Sequence, residues 1–168
     1  PLMRIAVAAT PAIALPALES LHTTFGVSFV VTQPDKPFGR GRELRESPVA
    51  QWAHSKNIPV YKSLAIEDQL RSVDLVITIA YGVLIPEKIL ALPRYGFLNL
   101  HYSLLPKWRG AAPVQRSLMS GDKFTGVTVF KLDRGMDTGP IYVQKRLEIL
   151  PEWNSSNLFD SLNELGVQ

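Results

Sequence analysis

Short apolar runs alternate with segments of helical period along this chain, and that alternation restricts it to a sheet flanked by helices. Met3–Ala8, Val27–Thr32 (VSFVVT) and Val73–Ala80 (VDLVITIA) are near-continuous in apolar residues, which predicts buried strands. Ala12–His22 predicts a helix, because Ala14, Leu15, Leu18 and Leu21 fall on one face. Pro48 opens a second helix running to about Lys56, and Val60 continues into a short edge strand. Tyr81–Pro86 reads as a tight loop, followed by a short helix to about Leu90. Phe97–Leu100 is another buried strand, Ala112–Gly121 a helix, Gly126–Leu132 (GVTVFKL) a strand and Asp133–Thr138 a loop. Ile141–Ile149 alternates as a half-exposed strand does, and Ser155 or Ser156 can cap a last helix through Leu165. The expected fold class is α/β: a doubly wound, mostly parallel, Rossmann-like sheet forming a single domain over residues 1–168.

Composition narrows the chemistry. The 168 residues contain no cysteine, which excludes disulfides, thiolate metal sites and a cysteine nucleophile, and fits a reducing cytoplasm. The first apolar run is too short for a signal peptide or a membrane span, and no other segment is long enough to cross a bilayer. A cytoplasmic protein, or an organellar one in a eukaryote, with no membrane partner is the expectation. The net charge is only +3, so any polyanion site has to come from local clustering.

The richest segment is Phe97-Leu98-Asn99-Leu100-His101-Tyr102-Ser103-Leu104-Leu105-Pro106. Strand side chains alternate, so Asn99 and His101 project from one face where the strand gives way to a loop. Ligands of open α/β sheets bind at such carboxyl ends. An amide donor beside a titratable imidazole suits a reaction with a developing oxyanion and a departing proton. His22 and His54 sit in ordinary helix-surface patterns without such company.

Asp133-Arg134-Gly135-Met136-Asp137-Thr138-Gly139 has two readings of equal weight on spacing alone. Asp and Gly are turn residues, but a carboxylate here can also orient the imidazole, with Asp137 the deeper of the two acids. Gln33–Ser47 is long, irregular and rich in charge, which favours a functional segment over a mere connection. Lys36, Arg40, Arg42 and Arg45 lie in it, and its glycines let the arginines wrap a phosphate backbone. Lys107 and Arg109 add charge beside Ser103–Pro106 and suggest a basic rim around His101. The first loop, Ala9-Thr10-Pro11, lacks the glycines of a dinucleotide site, and there is no phosphate loop or metal-ligand cluster.

Taken in order, Thr32-Gln33-Pro34-Asp35-Lys36-Pro37, Gly39-Arg40-Gly41, Ala80-Tyr81-Gly82, Asn99-Leu100-His101, Ser103-Leu104-Leu105-Pro106, Trp108-Arg109-Gly110-Ala111-Ala112-Pro113 and Asp137-Thr138-Gly139 resemble the methionyl-tRNA formyltransferases. The Ser-Leu-Leu-Pro and Asp-Thr-Gly signatures are those of folate-dependent formyltransferases generally. The Gln-Pro-Asp-Lys-Pro and Trp-Arg-Gly-Ala-Ala-Pro stretches point to the tRNA enzymes.

The resemblance implies transfer of a formyl group from the co-substrate 10-formyltetrahydrofolate to the α-amino group of methionyl initiator tRNA; a monomer is expected, and the sequence calls for no metal. It assigns catalysis to Asn99, His101 and Asp137. It assigns the folate to Ser103, Leu104, Leu105 and Pro106, with Tyr81, Gly82, Val83, Leu84, Ile85 and Asp133 lining the pterin pocket. The tRNA acceptor end falls to Lys36, Arg40, Arg42 and Arg45, with Lys107 and Arg109 beside them.

Rival readings are a formyltransferase acting on glycinamide ribonucleotide or an amino sugar nucleotide, a formyltetrahydrofolate hydrolase, and a non-catalytic folate- or RNA-binding module. The basic loop favours tRNA. Ala9 stands where the family has glycine, and Tyr102 where it has a small residue, turned by alternation to the sheet's other side. The family's C-terminal β-barrel domain is expected to be absent from residues 1–168.

Overall fold

The structure is a computed structural model that describes residues 3–135, 137–154 and 157. The chain divides after Phe97 into two compact units.

In the first unit, β1 (Ile5–Ala9), β2 (Val27–Val31), β5 (Val60–Tyr61) and β6 (Leu75–Ile79) form a parallel sheet in the order β5-β2-β1-β6. Every residue of β1 is buried, as a central strand covered on both faces requires. The chain winds from β1 out through β2 to β5, then returns to place β6 on the other side of β1. That reversal is the doubly wound signature, and it puts a crevice at the carboxyl ends of β1 and β6.

The helices begin and end as their sequences dictate. A 3₁₀ turn at Ala12–Ala14 leads into α1 (Leu15–Phe25), which buries Ala17 and Leu18. Gly26 closes α1 at φ 73°, donating its N–H to the His22 carbonyl at 2.9 Å. The Ser47 hydroxyl caps α2 (Pro48–Ser55) by accepting from Ala50 N at 3.1 Å, a contribution of about 1 kcal/mol. α3 (Glu67–Arg71) and α4 (Glu87–Leu90) are single short turns, and α3 has no counterpart in the sequence reading.

Gln33–Ser47 corrects the expectation of an irregular segment. It holds a two-stranded antiparallel hairpin, β3 (Lys36–Phe38) paired with β4 (Glu43–Arg45). All six residues are exposed, so no buried face imposed an alternation that could be read. Arg45 stacks its guanidinium 3.7 Å from the Phe38 ring centre. At the hairpin's base, Lys62 Nζ lies 2.7 Å from Asp35 Oδ1 and 3.0 Å from Glu46 Oε1. His54 Nε2 also lies 3.0 Å from Glu46 Oε1.

In the second unit β7, which begins at Phe97 and ends at His101, pairs antiparallel with β8 (Phe124–Lys131). β8 pairs antiparallel with β9 (Ile141–Glu148). α5 (Pro113–Met119) precedes β8 and buries Val114 and Ser117. Phe97 and Phe130 are fully buried; burying a large apolar side chain contributes about 1.5–3 kcal/mol. The helix expected from Ser155 or Ser156 to Leu165 lies outside the described residues.

Candidate active site

In the second unit, β7 delivers His101 at its carboxyl end, 8% exposed, with Asn99 half-buried two residues earlier. The imidazole is held at one nitrogen and faced by a carboxylate at the other. Its Nε2 lies 2.8 Å from the Trp108 carbonyl oxygen. A carbonyl can only accept, so Nε2 carries the proton and the tautomer follows. Its Nδ1 faces Asp137 Oδ2 at 3.7 Å. That is too long for a hydrogen bond and is an ion-pair distance only when the ring is protonated.

The Asp137 carboxylate accepts instead from the Gly110 backbone N–H at 2.6 Å. One loop, Trp108–Gly110, therefore supplies both the acceptor on the histidine and the donor on the aspartate. Neither backbone role was anticipated. The glycine in Trp-Arg-Gly was the one available hint, since it permits the φ of 88° found at Gly110.

Non-glycine residues with left-handed backbone gather around this arrangement. Trp108 (φ 58°), Ala112 (φ 56°) and Asp137 (φ 55°) adopt it, at a cost of about 1–2 kcal/mol each. Strain of this kind persists where surrounding contacts over-determine it. At Trp108 those contacts converge on Asp122. Its Oδ2 accepts from the Trp108 indole N–H at 2.7 Å and from the Ser117 hydroxyl at 3.1 Å, and its Oδ1 pairs with Lys107 Nζ at 2.6 Å. Burial alone would raise the Asp122 carboxyl, but the bonds from Lys107, Trp108 and Ser117 outweigh it and hold it below its ordinary value.

The Ser103–Pro106 stretch is fixed from below by β8 and β9. Thr128 Oγ1 donates to the Ser103 carbonyl at 2.6 Å and accepts from Leu105 N at 3.2 Å. Gln144 Nε2 donates to the Leu105 carbonyl at 2.9 Å and to Thr128 Oγ1 at 3.0 Å. Ser103 spends its hydroxyl on the Lys107 carbonyl at 2.6 Å. Tyr102 is buried, which pushes its phenol up to about 12.

Other residues singled out from the sequence divide clearly. Asp133 is exposed, and its Oδ1 accepts from Gly135 N at 2.8 Å and Thr138 Oγ1 at 2.9 Å, shaping the loop that carries Asp137. Lys107 is engaged by Asp122, while Arg109 is exposed.

In the first unit, Tyr81–Ile85 follows β6 at the switch-point crevice. Thr10 Oγ1 and Gln33 Nε2 both donate to the Tyr81 carbonyl at 2.9 Å, tying the loops after β1, β2 and β6 together. Val83 and Leu84 beyond it are exposed. Lys36, Arg40, Arg42 and Arg45 are exposed on and around the β3–β4 hairpin. No described helix is long and apolar enough to cross a membrane, and no cluster of three or more acids or histidines among the described residues could hold a metal ion.

A histidine held by a carbonyl on one side and faced by a carboxylate on the other, over a Ser-Leu-Leu-Pro turn, is accompanied by a family match along the chain. The sequence profile of the formyl transferase family matches residues 3–168, and the chain belongs to that family. It is 44% identical to the methionyl-tRNA formyltransferase of Xylella fastidiosa (strain M23), over 99% of this chain and 56% of that protein. With the enzyme of the same name from Deinococcus radiodurans it shares 46% identity, over 96% of this chain and 53% of the relative. The chain thus spans about half the length of these curated relatives.

Solved structures agree on the α/β, doubly wound, mostly parallel fold. The phosphoribosylglycinamide formyltransferase of Streptococcus pneumoniae TIGR4 superposes with a TM-score of 0.82 at 21% identity, over 98% of this chain and 93% of that one. The sugar 3N-formyl transferase WlaRD superposes with 0.72 at 19% identity, over 99% of this chain and 60% of the other.

Proposed function

We propose that this chain carries the transfer of a formyl group from 10-formyltetrahydrofolate to the α-amino group of methionyl initiator tRNA, for translation initiation. The observation that carries the reading is the His101–Asp137 arrangement, in a chain that resembles methionyl-tRNA formyltransferases. The amine attacks the formyl carbon, and negative charge develops on the formyl oxygen. Asn99 and the Nε2–H of His101 are the donors assigned to that oxygen.

A developing oxyanion is a stronger acceptor than the neutral Trp108 carbonyl, so the Nε2–H bond transfers to it as charge appears. Nε2 already carries a proton, so the ring takes up the amine's proton at Nδ1, by way of water, where the Asp137 carboxylate stabilises the imidazolium. The same route returns it to the leaving folate nitrogen.

In this reading Ser103, Leu104, Leu105 and Pro106, with Tyr81, Gly82, Val83, Leu84, Ile85 and Asp133, serve the folate. The exposed apolar Val83 and Leu84 suit a flat heteroaromatic ring. Lys36, Arg40, Arg42 and Arg45 serve the acceptor end of the tRNA, with Arg109 as a further cation. The enzyme acts as a monomer in the cytoplasm or in an organelle that makes its own proteins.

The test is formyl transfer to methionyl initiator tRNA by this chain and by its His101→Ala variant. Transfer that vanishes in the variant supports the reading. Folate binding without transfer in either means that the grip on tRNA needs more than these residues. Absence of folate binding overturns it.

A further inference from the structure

Asp122 lies fourteen residues beyond Trp108 in sequence, outside every motif that carries the family resemblance, yet its two oxygens clamp the Lys107–Trp108 pair. Lys107 Nζ is bonded to Oδ1 at 2.6 Å and the Trp108 indole N–H to Oδ2 at 2.7 Å. Lys107 Nζ also stands 5.4 Å from the Trp108 ring centre, and Arg116 Cζ 5.9 Å from it. The clamp is itself anchored, since Ser117 of α5 donates to Oδ2 at 3.1 Å and Asp122 N to the Ser117 carbonyl at 3.2 Å. Trp108 is the residue held at φ 58°, and its carbonyl is the one on His101 Nε2. Without a fixed indole, the backbone is free to relax to negative φ, and the carbonyl turns away from the ring.

We infer that Asp122 is a positioning residue for the transfer reaction, acting through the Trp108 indole and carbonyl to keep the proton of neutral His101 on Nε2. The same turn holds Gly110 N on Asp137 Oδ2, so its relaxation loosens both halves of the histidine–aspartate pair. The inference rests on the reading of His101 as the donor and proton carrier of formyl transfer.

The experiment pairs two readouts on Asp122→Asn and Trp108→Phe. The first variant keeps the shape of the side chain but loses its charge, and the second keeps a ring but loses the indole N–H. Ring-nitrogen NMR at a pH where His101 is neutral, assigned by loss of the signal in His101→Ala, reads the tautomer. Wild type should show Nε2–H alone, and both variants a mixture of tautomers.

Formyl-transfer kinetics should show kcat reduced by roughly tenfold to 10²-fold with the folate KM unchanged, as for a misplaced catalytic group. Should Asp122→Asn fail to fold, Trp108→Phe decides. A wild-type ring spectrum in the folded variants overturns the inference, whatever happens to kcat. A mixed tautomer with wild-type kcat overturns the catalytic consequence. Full turnover by His101→Ala would instead overturn the functional reading, which keeps the two failures distinguishable.

Discussion

A Cβ built on Gly126 would stand 2.7 Å from Leu104 Cδ2 and would overlap the Lys145 carbonyl oxygen of the adjacent strand. The Leu104 side chain has its place on β8 because residue 126 has none. The Lys145 carbonyl belongs to the β9 backbone and cannot swing aside as a side-chain tip can. Gly126→Ala is therefore expected to cost about 1–3 kcal/mol of stability. It should also displace Leu104 and weaken folate affinity. Thermal melts with folate titration check both, and a variant with wild-type melting and binding would contradict the packing.

Asn99→Ala and His101→Ala each remove one donor from the proposed oxyanion site. Loss of such a donor typically lowers turnover by about 10²–10³-fold. Single-turnover formyl transfer should show that loss in both, with folate binding retained because neither residue belongs to the Ser103–Pro106 stretch.

Asp137 separates charge from geometry. Asn tolerates left-handed backbone better than Ala does, and Asp137→Asn keeps an oxygen for the Gly110 N–H. It should melt close to wild type while turnover falls by on the order of 10²-fold. Asp137→Ala should lose the turnover and about 1 kcal/mol of stability as well. Equal melting of the two variants would show that the left-handed φ of 55° at this position carries no cost.

The hydrogen bond from Lys62, partly opposed by burial and helped by His54, holds the Glu46 carboxyl below its ordinary value of 4.5. A carboxyl lowered in the folded state stabilises the fold fully above 4.5, and that stabilisation disappears as pH falls through the lower folded value. Glu46→Gln should melt below wild type at neutral pH, by less than about 1 kcal/mol for so accessible a pair. The two melting curves should converge on acidification. A gap that stays constant down to pH of about 3 would show that the interaction is not ionic.

Arg40→Ala and Arg42→Ala should weaken tRNA binding with little dependence on its sequence. Each should also reduce the slope of log affinity against log salt by about one unit. Filter binding across a salt series reads both. An unchanged slope would remove these side chains from the phosphate contacts.

The sequence was legible where burial imposed a pattern. β1, β2 and β6 read as apolar runs because most of their residues are buried, and β7 was found for the same reason. Five-residue α3 is too short to show a period, and the β3–β4 hairpin contains Pro37 and no buried residue, so neither signalled itself. The antiparallel direction of β8 and β9 is a property of pairing, not of composition. At the site, Asn99 and His101 stood out because an amide and an imidazole share one face of an apolar strand, whereas Asp137 read equally well as a turn residue and only the family resemblance singled it out. The Trp108 carbonyl and the Gly110 N–H are backbone groups that every residue possesses, and only geometry singles them out. Asp122 had no motif around it and gains its role from folding back on Trp108.

Asp35 and Glu46, the residues that bracket the β3–β4 hairpin, meet on one ammonium, that of Lys62. Ordering a loose arginine-rich loop at the moment it meets a polyanion would cost about 1–2 kcal/mol of conformational entropy per residue. A finger already closed at its base has met much of that cost during folding, so association is spared it. On the proposed reading, Lys62 at the base of the hairpin thereby helps set how firmly the arginines grip.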